Sequence, residues 1–126
     1  RRPASTFAAP HRTEIHEWWP SSEDRFAPGD LVLGFSRAIN DRFISEWGLR
    51  HIALVPSVSS AARVTVCTGH AAKGAQAEDV YLLPWSKPAL RRLDEQEPSA
   101  LRLLYTMLTR ASRRVHVPTT LLARMQ

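Results

Sequence analysis

The chain has 126 residues, of which 44% are hydrophobic and 23% charged, a composition that fits one compact domain and excludes a wholly disordered chain. No run approaches the roughly 18 apolar residues of a membrane span, and the single cysteine, Cys67, rules out an internal disulfide and favours a reducing cytoplasm. The formal charge is +5, and all of the 17 basic residues except Lys73 and Lys87 are arginines, so we expect the surface to attract polyanions.

Residues 1–28 are predicted to be an irregular lead-in segment. They contain four of the nine prolines and show no sustained hydrophobic period. The chain opens with Arg1-Arg2-Pro3, without an initiator methionine or the apolar core of a signal peptide, and we expect it to be part of a longer protein. Trp18 and Trp19 are suited to stacking on a nucleic-acid base, although packing against the domain is the favoured interpretation.

From Gly29 onward, short apolar runs alternate with helical patterns. Strands are predicted at 31–35, 51–55, 63–68, 79–83 and 114–117. Helices are predicted from Ser36, a capping residue, to Gly48, a stop, and at 88–96, 99–112 and 120–125. Apolar strands without strict alternation, separated by helices, favour an α/β fold in which helices flank a parallel sheet, here over residues 29–126.

The first informative segment follows the predicted strand that ends at Thr68. A loop of small residues comes next, containing His70, Lys73 and Gly74, and a new strand begins near Val80. Loops at the carboxyl edge of a parallel sheet bind ligands, because free backbone amides lie there. The spacing does not match the Walker A pattern G-x-x-x-x-G-K-[ST].

The second informative segment is a predicted helix followed at once by a basic strand. Arg102, Thr106 and Arg110 are four residues apart and are expected to share one helix face opposite the apolar stripe. Two guanidinium groups and a hydroxyl would then point in one direction, towards solvent or towards a ligand.

Taken together, these segments carry T-G-H-x-x-K-G at 68–74, D-V-Y-L at 79–82 and L-Y-T-x-L-T-R-A-x-R-R-V-x-V at 104–117. This pattern resembles the fifth and sixth conserved motifs of superfamily 1 helicases of the UvrD/Rep type, in the right order and spacing over about 50 residues. In that family both motifs belong to the second, C-terminal RecA-like domain. The resemblance therefore implies a RecA-like α/β fold and a part in an ATP-dependent DNA helicase or translocase.

The resemblance also implies roles for individual residues. Arg110 matches the arginine finger that approaches the γ-phosphate of ATP, where a guanidinium stabilises the charge of the transition state, and Thr109 would lie near the same cleft. Thr68, His70 and Lys73 match the loop that contacts single-stranded DNA. The remaining implied nucleotide-binding residues are Gly74, which permits close backbone approach, together with Gln76 and Arg37.

Departures from the family pattern concern the nucleotide contacts. Gln76 stands where the family has a glutamate that holds the ribose, and it carries no charge. Phe35 stands where the fourth motif has an arginine that approaches the γ-phosphate, and Arg37 follows two positions later. Walker A and Walker B motifs are absent from this sequence, so ATP and Mg²⁺ would be held by an N-terminal RecA-like domain of the same or a partner chain.

Three functions are compatible with the sequence. The favoured one is the C-terminal part of a helicase; the second is a non-catalytic module for binding nucleic acid or docking to a protein, derived from such a domain. The third is an unrelated small α/β enzyme, although no nucleophile with a neighbouring base is visible. His116 is interpreted as a structural histidine, no zinc-ligand spacing is present, and neither a metal site nor a membrane partner is expected.

Overall fold

The protein is described here by a computed structural model covering residues 13–21, 26–46, 64–72 and 74–126. In these residues a single sheet of parallel strands has the order β1-β5-β4-β2-β3. The strands are β1 (Glu14–Trp18), β2 (Leu31–Gly34), β3 (Thr65–Thr68), β4 (Ala77–Leu82) and β5 (Ala111–Pro118). The helices are α1 (Arg37–Glu46), α2 (Lys87–Asp94), α3 (Pro98–Leu108) and α4 (Thr119–Arg124). The predicted α/β class with a parallel sheet flanked by helices is confirmed.

One face of the sheet carries the main hydrophobic core. Alternate residues of three neighbouring strands point to this face, where α2, α3 and α4 cover them. All of the following strand and helix residues are buried in that one cluster: Leu31, Leu33, Val80, Leu82, Val115, Val117, Leu90, Leu93, Leu104, Met107, Leu108 and Leu121. Burying these side chains is the principal stabilising contribution to the fold.

The opposite face is covered by α1 and by an aromatic cluster. Asn40 of α1 lies directly against Gly34, so a side chain on Gly34 would collide with the amide of Asn40. Further along this face, the rings of Trp18, Phe26 and Tyr81 meet edge to face with centroids 4.9 to 6.1 Å apart. Such contacts close the sheet on its second side.

The N-terminal segment differs from the sequence prediction. Within the expected irregular lead-in, residues 14–18 form β1, an edge strand that pairs in parallel with β5. The Trp18 indole N–H donates to the carbonyl of Leu82 at 2.9 Å, and the Thr13 hydroxyl donates to the carbonyl of Ala111 at 3.2 Å. These long-range contacts, which the local composition does not reveal, fix the strand. Of the tryptophan pair, Trp18 packs against the domain as the favoured interpretation expected, whereas Trp19 is 48% exposed.

The C-terminal elements match the predictions except at one boundary. The helix predicted over 99–112 ends at Leu108, because the chain turns at Thr109 and Arg110 and β5 already begins at Ala111. The backbone N–H of Ala77 donates to the carbonyl of Arg110 at 3.0 Å, so this turn is tied to the start of β4. The strand predicted at 51–55 lies outside the described residues.

Among the described residues, no helix is long and apolar enough to cross a membrane.

Candidate functional site

Residues 69–76, which we call the crossing loop, connect the carboxyl end of β3 to the amino end of β4. Both strands run in the same direction, so the loop must pass from one edge of the sheet to the other. Thr68 is paired with Gly34 at the carboxyl edge, whereas Ala77 is paired with Ala111 at the amino edge. The sequence predicts the whole loop at the carboxyl edge, which is correct only for its first residues.

The carboxyl edge contains Thr68, His70 and Arg37. The Thr68 hydroxyl accepts a hydrogen bond from the backbone N–H of Ala71 at 3.1 Å, and the Thr68 carbonyl accepts one from Ala72 at 3.0 Å. Thr68 therefore caps a short helical turn that holds His70 at the surface. His70 and Arg37 are exposed.

Two cavities adjoin at this edge, and Arg37 and Thr68 line both. One, of about 380 Å³, lies against α2 and α3, and the other, of about 400 Å³, lies against α1. The first is lined mainly by Phe35, Ser36, Arg37, Thr68, His70, Arg92 and Ser99. Its basic and hydroxyl side chains suit the phosphates and sugars of a nucleic-acid backbone.

Arg92 is a further basic residue of this cavity, and no sequence motif marks it. Its guanidinium lies 5.8 Å from the centroid of the Phe35 ring, and it is held by Glu97 and Ser99, each at 3.0 Å. The sequence shows only the pair Arg91-Arg92 in a short predicted helix. It does not reveal that the Arg92 guanidinium lies over the Phe35 ring, because the two residues are far apart along the chain.

Arg110 lies at the amino edge, where its guanidinium is held by three acceptors. Nε donates to the carbonyl of Thr106 at 3.1 Å, Nη2 donates to the hydroxyl of Thr109 at 3.2 Å, and Nη1 lies 3.5 Å from the carbonyl of Ala75 in the crossing loop. The Thr109 hydroxyl in turn donates to Thr106 at 3.0 Å. The guanidinium is thereby fixed in orientation and only partly buried.

The guanidinium of Arg110 retains capacity for a ligand. An arginine side chain has five N–H donors, and three of them are directed at the acceptors just described. Among the described residues, the other two donors on the terminal nitrogens have no acceptor, and they suit the oxygens of a phosphate. Such an arrangement fits a nucleotide bound against this edge.

The end of the crossing loop lies beside Arg110. Gly74 has a φ of 90°, a conformation that favours glycine, and apart from its chain neighbours no described residue has an atom within 4 Å of the position that a Cβ would take. Gln76 is exposed and follows Ala75, the residue that contacts Arg110. Gly74, Gln76, Thr109 and Arg110 are therefore brought together, while Lys73 lies outside the described residues.

Arg37 is separated from this group. Because Arg37 follows the carboxyl end of β2 and Arg110 precedes the amino end of β5, the two side chains begin at opposite edges of the sheet. The expected shared helix face of Arg102, Thr106 and Arg110 is also wrong, since α3 ends at Leu108. Arg110 nevertheless contacts Thr106, because its Nε donates a hydrogen bond to the Thr106 carbonyl.

Helix α3 joins the two edges. A side chain on Gly69, at the start of the crossing loop, would approach Met107 Cε to 2.5 Å and Leu103 Cδ1 to 2.7 Å. The loop therefore packs closely on α3 at one end and contacts Arg110, just beyond α3, at the other. Ala72, between them, is fully buried in the core. The loop and the helix form one packed unit that spans the sheet.

Asp79, Arg114 and His116, on the neighbouring strands β4 and β5, contact one another and have a structural role. Burial lowers the pKa of His116 and outweighs the raising effect of its 3.1 Å hydrogen bond to Asp79. Burial raises the pKa of Asp79, but hydrogen bonds from His116 and Arg114 together bring it below its usual value. His116 also stacks on Tyr81 with ring centroids 4.0 Å apart. The interpretation of His116 as a structural histidine agrees with this geometry.

Cys67 shows no activation as a nucleophile. Burial raises the pKa of its thiol, and no opposing cause acts on it. A protonated, partly buried thiol reacts slowly.

Comparison with known proteins identifies the region that contains both motifs. Residues 63–117 match the family model of the UvrD-like helicase C-terminal domain, which confirms the resemblance read from the sequence. The fold is similar to the crystal structure of the C-terminal domain of a possible DNA helicase from Lactobacillus plantarum WCFS1, with a TM-score of 0.62 and 18% identity. That match covers 99% of this chain and 91% of the other. No curated protein matches.

Proposed function

We propose that this chain, whose residues 63–117 match the family model of the UvrD-like helicase C-terminal domain, supplies an arginine finger from its amino edge and a contact for single-stranded DNA from its carboxyl edge. The observation that carries the proposal is the geometry of Arg110. Its guanidinium is fixed, partly exposed and in contact with the loop that reaches the opposite edge, and two of its donors have no acceptor within the described ranges. The partner is an N-terminal RecA-like domain of the same or another chain.

The nucleotide in this proposal is ATP with Mg²⁺, bound by the Walker motifs of the N-terminal RecA-like domain. Bound ATP supplies the phosphoryl transfer whose free energy drives movement along DNA. Arg110 directs its free N–H donors at the phosphates and stabilises the negative charge that spreads over them during transfer. Gln76 offers an amide to the sugar, Gly74 keeps the loop surface free of a side chain, and Thr109 holds the guanidinium in place.

The nucleic-acid contact in this proposal lies at the start of the crossing loop. Thr68 and His70 contact the backbone of the strand there, and the family resemblance adds Lys73. We assign Arg37 to the same contact because it lines the same two cavities as Thr68. An exposed guanidinium and exposed imidazole beside hydroxyl groups suit phosphate and sugar oxygens. A cytoplasmic location belongs to the same proposal, since the partly buried Cys67 stays reduced there.

The crossing loop supplies the link between the two contacts. A displacement of the loop at Gly69 is transmitted to α3, because the two are in close contact, and α3 leads directly to the turn that contains Arg110. Binding of DNA at one edge can therefore change the position of the guanidinium at the other. This is the coupling that an ATP-driven translocase needs.

The experiment that tests the finger is Arg110→Ala in the complete protein that contains the Walker motifs. We expect DNA-stimulated ATP turnover to fall by roughly 10³-fold or more, while the KM for ATP changes much less and the melting temperature shifts by only a few degrees. Arg113→Ala is the matched control, because Arg113 is an exposed arginine near the same edge whose guanidinium lies 3.7 Å from Glu78.

Two results would count against the finger. Equal turnover in wild type and Arg110→Ala would show that the guanidinium only holds the turn to the crossing loop. An absence of ATP turnover in the wild-type complete protein, with retained salt-sensitive binding of single strands, would favour the alternative function of a non-catalytic nucleic-acid-binding module. The uncharged Gln76, in place of the family glutamate, is the observation that favours that alternative.

A further inference from the structure

A third cavity opens at the carboxyl edge near β1, away from the crossing loop. It has a volume of about 510 Å³ and lies between one face of α2 and one face of α4. The residues that line it are Trp19, Trp85, Lys87, Leu90, Arg91, Asp94, Thr120 and Arg124. Neither the family match nor the proposed roles assign this cavity a function.

Aromatic and basic side chains are combined at this cavity. Trp19 is 48% exposed, which is unusual for so large an apolar side chain, whereas Trp85 is only 4% exposed. Lys87 and Arg91 are exposed, and neither makes an ion pair within the part of the chain that the structure describes. Arg124, in contrast, is paired with Asp94 at 2.8 Å.

Two residues that line the cavity each contain a buried polar atom without a partner in the part of the chain that the structure describes. Among the described residues, neither the indole N–H of Trp85 nor the hydroxyl of Thr120 has a hydrogen-bond partner, and both atoms are buried. Buried polar groups are normally hydrogen-bonded. A ligand with a planar apolar ring and anionic oxygens would stack on the exposed Trp19 and be neutralised by Lys87 and Arg91, both of which line the same cavity.

Helix α2 places this cavity in line with the proposed DNA contact. Arg91 lines the third cavity, while the next residue, Arg92, lines the cavity of Thr68 and His70. Both cavities open at the carboxyl edge of the sheet, whose outermost described strands, β1 and β3, are four strand spacings or about 19 Å apart. An extended single strand of a few nucleotides covers such a span.

We propose that the cavity between α2 and α4 is a second single-strand subsite, in which a base stacks on Trp19 and the adjoining phosphates contact Lys87 and Arg91. The inference rests on the proposed function and extends it, since it lengthens the path of the nucleic acid across α2 towards β1. Base stacking on an exposed aromatic side chain tolerates any sequence, so the subsite adds affinity without sequence preference.

The test is the affinity of the 126-residue chain for fluorescein-labelled oligothymidylates, measured by anisotropy at low salt. With an oligomer of about 12 nucleotides, we expect Trp19→Ala to weaken binding roughly 5- to 150-fold and Trp19→Phe to retain most of the affinity. With a dinucleotide, which is too short to reach both cavities at once, the Trp19→Ala effect should be much smaller.

Matched controls separate stacking and charge from general damage. Tyr105→Ala removes an aromatic side chain that is equally exposed, at 49%, and lines none of the three cavities, so it should leave affinity unchanged. The double variant Lys87→Ala/Arg91→Ala should reduce both affinity and its salt dependence. The double variant Arg102→Ala/Arg113→Ala removes the same net charge elsewhere and should have a smaller effect.

Distinct results overturn the inference and the proposed function. If Trp19→Ala binds the longer oligomer as wild type does, while Thr68→Ala/His70→Ala binds it weakly, the second subsite is refuted and the proposed function stands. If the wild-type chain binds no oligomer at all, both fail. If an acidic peptide binds at Trp19 with higher affinity than the oligomer, the cavity belongs to a protein partner and the inference is overturned.

Discussion

The side chain of Arg110 is held by acceptors from three different places: the end of α3, the turn that follows it and the crossing loop. A lysine could not make these bonds together, because its ammonium lacks the planar fork of donors. The motif T-R-A predicted which arginine to examine. It did not predict the Ala75 carbonyl as an acceptor, because that contact joins residues 35 positions apart.

The His116 side chain makes a prediction about stability at acid pH. The folded protein keeps His116 neutral against Asp79, Arg114, His16 and Tyr81, with a pKa below the ordinary 6.5. As pH falls below about 6.5, the unfolded chain binds the proton first, so the free energy of unfolding decreases until the folded-state pKa is passed. The slope from this group is at most about 1.4 kcal/mol per pH unit.

Chemical denaturation at pH values from about 7.5 to about 5 measures how the free energy of unfolding changes with pH. His116→Gln should flatten the acid-side slope, while His70→Gln, a change at an exposed histidine, should leave it as in wild type. Asp79 acts in the other window, since its lowered pKa means that its contribution disappears only as pH falls below about 3.8. Greater stability of the wild type at pH 5.5 than at 7 would contradict the assignment.

At the level of elements, hydrophobic periodicity and punctuation predicted most of the helices and strands. Ser36 stands just before the start of α1, as the sequence indicated, and Pro98 opens α3. Two elements were misjudged for physical reasons. β1 is specified by its pairing with β5, which lies near the other end of the chain. The predicted helix over 99–112 was too long because Ala111 fits the apolar stripe of α3 in the sequence, whereas in the structure it is a buried residue of β5.

The junction of β2 and α1 yields a prediction at this level. Gly34 has no room for a side chain because Asn40 lies against it, and the Asn40 Oδ1 atom is buried without a partner among the described residues. We expect Gly34→Ala to destabilise the protein by about 1–3 kcal/mol through overpacking. The double variant Gly34→Ala/Asn40→Ala should recover part of that loss, because it removes the colliding amide.

A double-mutant cycle in urea measures this coupling. The Asn40→Ala single variant sets the reference, and the free energies of the two single changes should not add. Strict additivity would mean that the close contact is relieved by movement of α1, and the account of how β2 and α1 position Arg37 would be wrong.

For the whole molecule, the decisive property is that the candidate site has two ends. Sequence motifs grouped Thr68, His70, Gly74 and Gln76 into one loop, and a single ligand-binding edge was the natural expectation. In a parallel sheet, however, the next strand must start again at the amino edge, so a loop of eight residues carries its first residues to one edge and its last to the other. The sequence predicts where the strands lie along the chain. It does not predict their order in the sheet, because long-range packing determines that order.

The two-edge arrangement is tested most directly by the affinity of the 126-residue chain for single-stranded DNA in variants of each edge. Arg37→Ala/His70→Ala, at the carboxyl edge, should weaken binding by roughly tenfold or more and reduce the salt slope by about 0.7 for the lost cationic contact. Arg110→Ala, at the amino edge, should bind within about twofold of wild type. A loss of affinity in Arg110→Ala as large as in the carboxyl-edge variant, with both proteins folded, would contradict the assignment of the two edges to two ligands.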